Sequence, residues 1–172
     1  MLWPLPVSEF FMVGKKTAKL LNSYGIYTIE DLAVAEPQIL KAELGVKIYD
    51  DLDLSAGPAS GSFGTDAMII APCSTNTLAK VANGISDTLI TRAASVALKE
   101  RQTLVLGVRE MPFSTIALSQ MQLLSSLGAI IAPPVLGYYA GIKSLQDMEN
   151  FIIGKWLDAL KIENNLYKRW QI

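Results

Sequence analysis

The stretch Ala67-Met-Ile-Ile-Ala71-Pro-Cys-Ser74-Thr75-Asn76-Thr77 changes character at its middle. The first half is an unbroken apolar run; the second is a cluster of hydroxyl and amide side chains. An apolar run without alternation marks a strand covered on both faces, as parallel sheets require. The polar cluster leads into a long helical stretch, read as Thr77 to Arg101. Ser74 or Thr75 is suited to cap that helix. The N–H groups and hydroxyls of such a strand-to-helix turn are equally suited to hold a phosphate. These residues alone leave both readings open.

The same alternation repeats on the C-terminal side. Thr103 to Val108 reads as a second strand, Ser114 to Leu127 as a helix closed by Gly128, and Ala129 to Ala132 as a third strand stopped by Pro133-Pro134. Ser144 with Asp147 caps a last helix that runs to about Ile162. Strands separated by helices imply a parallel sheet with helical cover. Ser55 to Ser62 is a loop of small residues, and Val46 to Tyr49 is a candidate fourth strand. Residues 1–45 read differently, as three short helices. The first spans Gly14 to Ser23 and stops at Gly25, the second opens at Thr28 with Asp31, and the third starts at Pro37 and ends at Gly45.

Composition narrows the chemistry. Of 172 residues, 51% are apolar and 18% charged, with a net charge of −1. Such a chain buries a core and carries no general nucleic-acid field. It has no histidine, so the usual neutral-pH base and the commonest transition-metal ligand are missing, and no metal site is expected. The lone Cys73 excludes an intrachain disulfide and reads as a small buried hydrophobe, not a nucleophile. No apolar run is long enough to cross a bilayer, and the proline-bearing start lacks a basic region, so neither a membrane nor a leader peptide is expected.

A series of words in fixed order adds a resemblance. Gly57-Pro-Ala-Ser-Gly-Ser-Phe63, Asp66 to Ser74, Leu89-Ile-Thr-Arg-Ala-Ala94, Leu98-Lys-Glu-Arg101, Val108-Arg-Glu-Met-Pro112, Gly128 to Pro134 and Leu166-Tyr-Lys-Arg-Trp170 together resemble the flavin prenyltransferase family from about Val46 onward. The resemblance implies a Rossmann- or flavodoxin-like fold and metal-free transfer of a dimethylallyl group from dimethylallyl phosphate to reduced FMN. It implies FMN contacts at Ser74, Thr75, Asn76 and Thr77, and a phosphate-binding Arg92. It also implies acid–base and phosphate roles for Glu110 and Lys99, and prenyl-phosphate contacts at Arg109, Tyr139 and Lys155. On spacing alone, Glu110 is as well read as an ion-pair partner of Arg109 or Lys99.

Several positions depart from the family pattern. Lys155 stands where the family has an arginine, which loses a bidentate fork. The usual Ile-His-x-Glu-Asn-Met reads Ile116-Ala-Leu-Ser-Gln-Met121, and Arg-Ala-Ala-Asp reads Arg92-Ala-Ala-Ser95. The family's opening strand and its Gly/Ser-rich flavin-phosphate turn have no counterpart in the words of residues 1–45. Those residues instead resemble the helix-hairpin-helix of Y-family DNA polymerases through Leu5 to Leu21 and Tyr24 to Leu32. That likeness implies phosphate contacts at Gly14, Lys15, Lys16 and Lys19. With five lysines against six carboxylates in Met1 to Asp50, nucleic acid is not an expected partner.

The combined expectation is a chimera of domains 1–45 and 46–172: an all-α segment joined to a truncated parallel sheet of about three strands. Loss of the phosphate turn forfeits charge-assisted hydrogen bonds of about 1.5–3 kcal/mol each. The chain is therefore expected to lack catalytic activity and to hold no cofactor as purified, FMN being the one it would take. A residual flavin prenyltransferase and a salt-sensitive DNA binder are the alternatives. The bare edge of strand 67–71 is expected to pair with a second copy. The parent families imply a cytoplasmic setting, whereas an engineered chain would have no native location.

Overall fold

The computed structural model describes residues 22–23, 27 and 47–169. The chain divides into two units, Met1–Tyr49 and Asp50–Ile172. In the first, Asn22 and Ser23 are helical. The other expected elements of residues 1–45, and the positions Gly14, Lys15, Lys16 and Lys19, lie outside the described residues.

The second unit is an α/β layer structure. Strands β1 (Ala67–Cys73), β2 (Thr103–Val108) and β3 (Ile130–Ile131) form a parallel sheet in that order. Helices α1 (Thr75–Ala82), α2 (Leu89–Lys99), α3 (Thr115–Ser126) and α4 (Leu145–Ala159) connect and cover the strands. The candidate fourth strand is not formed: Lys47, Ile48 and Tyr49 carry no strand pairing. The run is short and is followed at once by Asp50 and Asp51, a residue type that strands disfavour. Ser55 to Ser62 form a loop with two single-turn 3-10 segments, Gly57–Ala59 and Gly61–Phe63.

The expected long helix from Thr77 to Arg101 is two helices. The Asn83 side chain donates to the Ala79 carbonyl (2.8 Å), and Gly84 takes a left-handed conformation (φ 69°). That geometry ends α1 at low cost only because residue 84 is glycine. Thr88 and Thr91 then form a reciprocal capping box that opens α2. Asp51 completes this start: its carbonyl accepts from Leu89 N–H (2.6 Å) and its carboxylate from Ile90 N–H (2.8 Å). A carboxylate at a helix N-terminus also meets the positive end of the helix dipole.

Strand β2 is the centre of the unit. Leu104, Leu106 and Val108 join one cluster with Leu78 and Val81 of α1, Ala94 and Ala97 of α2, and Ala117, Met121 and Leu124 of α3. The intervening residues point to the opposite face. There Trp156 of α4 lies 3.0 Å from where a Cβ on Gly107 would sit, so the glycine makes room for the indole. The Trp156 ring N–H donates to the Ala132 carbonyl (2.8 Å), which fixes α4 to the end of β3. Among the described residues, no helix is long and apolar enough to cross a membrane.

Candidate functional site

Because the strands are parallel, their C-terminal ends lie on one side of the sheet. Three loops leave from there, after Cys73, after Val108 and after Ile131. Arg109 N–H donates to the Cys73 carbonyl (2.9 Å), so the first two loops are stitched together. Ser74 is the N-cap of α1: its hydroxyl accepts from Thr77 N–H (3.1 Å) and lies 3.0 Å from the Thr77 hydroxyl. Ser74 and Asn76 are exposed, and Thr75 and Thr77 half-buried. The capping reading of Ser74 therefore holds, and it leaves the turn's other polar groups facing outward. Arg109 and Glu110 are exposed beside them, and a Glu110 carboxylate oxygen accepts from Met111 N–H (3.1 Å). Cys73 is fully buried, and burial pushes its thiol up to about 11, so it is an inert packing residue.

The third loop and α4 build a cavity of about 710 Å³ lined by Tyr139, Phe151, Lys155, Tyr167, Lys168 and Arg169, with Ala140 and Gly141 at its edge. Its aromatic wall is ordered edge to face. Tyr139 and Phe151 ring centroids are 6.1 Å apart, and Phe151 and Tyr167 5.3 Å. Lys155 Nζ is 6.0 Å from the centre of the Tyr167 ring. A second cavity of about 260 Å³ shares Tyr139, Phe151 and Lys155 but is otherwise apolar, with Pro133, Val135, Leu136 and Ile152 among its walls. A cationic chamber thus adjoins an oily one across shared residues.

Asp158 does not line the larger chamber but binds two residues that do, Tyr167 and Arg169. It accepts from Tyr167 OH (2.5 Å), Asn164 Nδ2 (2.9 Å) and both terminal nitrogens of Arg169 (2.8 and 3.2 Å). The Arg169 guanidinium, foremost, holds the Asp158 carboxyl down to about 2. The same contacts raise Tyr167, whose phenol is bound to a carboxylate.

The structure brings some sequence-predicted residues together and separates others. Tyr139 and Lys155 share one cavity, and Ser74 to Thr77 adjoin Arg109 through the Cys73 carbonyl. Arg92 is half-buried on α2, where its Nε donates to the Ala59 carbonyl (3.0 Å) and holds the Gly57–Ala59 turn. Lys99 is the last residue of α2, just before β2 begins, so it lies at the opposite end of the sheet from Arg109 and Glu110. It pairs with Glu100 and lines a separate cavity with Arg101 and Ser126. Within one chain, then, Lys99 does not meet Glu110. The sequence assigns no site role to Phe151, Asp158 or Asn164, and Tyr167 and Arg169 enter only within the Leu166 to Trp170 word. One signal for them was present: Phe151, Lys155 and Asp158 follow the i, i+4, i+7 spacing of a single helix face.

Parallel strands, helices on both faces and polar loops gathered beyond the strand C-terminal ends define an α/β fold of the flavodoxin-like class. Residues 12–157 match the Flavoprotein family. The flavin prenyltransferase UbiX of Campylobacter jejuni is 59% identical over 122 residues, 71% of this chain and 65% of that protein. That of Helicobacter pylori strain J99 is 47% identical over 163 residues, 94% of this chain and 84% of the relative. Among solved structures, AnUbiX in complex with FMN and dimethylallyl pyrophosphate superimposes with a TM-score of 0.75 at 34% identity, covering 88% of this chain and 86% of that one. The dodecameric FMN-dependent UbiX-like decarboxylase from Escherichia coli O157:H7 gives 0.72 at 38%, over 80% and 73% of the two chains. The chain belongs to the flavin prenyltransferase UbiX family. It spans less than two thirds of the Campylobacter relative's length.

These matches overturn the chimeric origin. The family match begins at residue 12, inside the supposed foreign segment. A match over 94% of 172 residues leaves too few unmatched to exclude the first 45. None of these matches is to a polymerase. The expectation of an engineered, inactive chain falls with it, because it rested on a family segment being replaced. A missing phosphate-turn word was read as a missing segment, whereas a fold is specified by its whole core pattern and tolerates the loss of one motif.

Proposed function

We propose that the chain is a flavin prenyltransferase that joins the dimethylallyl group of dimethylallyl phosphate to reduced FMN. The carrying observation is the pair of adjoining chambers. One presents Lys155 and Lys168; the other is apolar apart from the Tyr139 and Lys155 that the two share, with Phe151 also between them. A phosphate with a short branched hydrocarbon is the ligand whose two halves match those surfaces. The AnUbiX complex with FMN and dimethylallyl pyrophosphate, at 34% identity, supports the same chemistry.

The donor set at the strand ends fits a flavin. Thr75, Asn76 and Thr77 offer side-chain and backbone groups at a helix start, beside Arg109. On this reading Ser74 to Thr77 hold FMN, and Arg92 keeps the neighbouring Gly57–Ala59 turn in shape. Bound reduced flavin supplies the nucleophilic ring that accepts the prenyl group. Lys155, Arg109 and the Tyr139 hydroxyl stabilise the departing phosphate as its charge grows. Glu110, exposed to solvent beside Arg109, is placed in the role of proton carrier. Lys99 serves this site only if a second copy supplies it. Self-association is part of the proposal, with the edge of β1 around residues 67–71, which no described strand covers, as one seam. Light scattering of the purified chain checks it.

The test is direct. Dithionite-reduced FMN and dimethylallyl phosphate are incubated with the chain, and the flavin is analysed by mass spectrometry. A flavin heavier by one dimethylallyl unit, formed only with protein present, is the expected result. Unchanged FMN at saturating concentrations of both ligands defeats the proposal.

A further inference from the structure

After α4 ends, the chain folds back across it, and two features of the helix set where the returning segment lies. The first is Gly154. A Cβ there would sit 2.4 Å from the Tyr167 ring, so the ring occupies the space that any side chain would fill. The second is Asp158, whose carboxylate accepts from the Tyr167 phenol, the Asn164 amide and the Arg169 guanidinium at once. The Tyr167 ring is thereby held between Phe151, 5.3 Å away, and the Arg169 guanidinium, 5.4 Å away. Arg169 lines the cavity, yet its charge is matched by Asp158. Among the described residues, the cavity cations without a carboxylate partner are Lys155 and Lys168.

We propose that Asp158 is a positioning residue that makes the cavity select a phosphate bearing an apolar tail over a bare phosphate. It does so by pinning the Tyr167 wall and by neutralising Arg169. This rests on the prenyl-phosphate reading and deepens it. Loss of the carboxylate frees the Tyr167 ring and, through it, Phe151, the wall shared with the apolar chamber, which weakens the grip on the hydrocarbon. It also releases a guanidinium, which strengthens the grip on any small anion. The two effects act in opposite directions on the two ligands, so selectivity is more sensitive than either affinity. A residue that merely kept the helix folded would lower both affinities together.

The experiment uses the full chain loaded with oxidised FMN, so that no transfer occurs. Calorimetric titrations give the affinities for dimethylallyl phosphate and for inorganic phosphate. In Asp158→Asn the ratio of the two falls about tenfold, the order expected for a loosened hydrocarbon pocket. Arg169→Gln, which removes the other side of the latch, lowers the ratio in the same direction through its effect on the wall and keeps the test available if the first variant fails to fold. An unchanged ratio in the folded variants, or a parallel loss of both affinities, overturns the role of Asp158. A parent chain with no preference for dimethylallyl phosphate overturns the prenyl-phosphate reading itself, and is told apart because it needs no variant.

Discussion

Strand β2 and helix α4 touch at Gly107 and Trp156, but different forces hold them. Leu104, Val105, Leu106 and Val108 are fully buried. Around α4 the residues that matter, Tyr139, Phe151, Lys155 and Tyr167, are half-buried or exposed, and are ordered by ring edges and one multiply bonded carboxylate. The strand is held by non-directional burial that any well-shaped apolar residue supplies. The cavity is held by directional contacts that need particular atoms. The sheet thus carries the buried core, while the proposed binding cavity belongs to a separate, less buried layer.

The sharpest way to break that comparison is to damage the strand. Leu106→Ala should cost about 2–5 kcal/mol in urea unfolding followed by circular dichroism. The remaining folded protein should keep its ligand affinities; a large loss of affinity at full folding would merge the two layers. The converse change is Lys155→Ala. It removes a charge-assisted contact of about 1.5–3 kcal/mol, so the KM for dimethylallyl phosphate should rise about ten- to hundredfold while the unfolding midpoint barely moves. Lys155→Arg should lower KM instead, because the planar fork binds phosphate with two bonds.

Gly107→Ala tests the seam between the layers. The new Cβ must displace Trp156 from 3.0 Å, and overpacking of this kind costs about 1–3 kcal/mol. Tryptophan fluorescence should shift as the indole loses its place. The smallest effect is acid sensitivity. Asp158 titrates at about 2 when folded against 3.8 ordinarily, so its contribution is complete above 3.8 and disappears as pH falls toward about 2. An Asp158→Asn chain should show a flatter stability curve over that window. The difference should be on the order of 1 kcal/mol or less, since Arg169 is solvent-exposed.

Much of the sheet was legible because its signals are local. The run Thr103 to Val108 is the observed strand β2, and the caps at Ser114 and Ser144 open α3 and α4 as read. The break at Asn83-Gly84 was overlooked because the apolar pattern continues on both sides of it. In the N-terminal residues the short helical words resemble another family, and only the family match, which reaches back to residue 12, corrects that. For the site, the joint roles of Lys99 and Glu110 rest on two words of the family resemblance, which say nothing of where one chain places them. A strand of six residues between them carries one to each end of the sheet, about 20 Å apart.

The three observed strands, most helix starts, the burial of Cys73 and the chemical types available to a site without histidine are legible along the chain. Those follow from neighbours along the chain and from the period of the apolar pattern. Only the tertiary structure decided that Tyr139, Lys155 and Tyr167 face one space, that Arg92 braces a turn, and that Asp158 gathers Asn164, Tyr167 and Arg169. Such meetings depend on how a chain folds back on a helix and which side chain, here the missing one of Gly154, leaves it room.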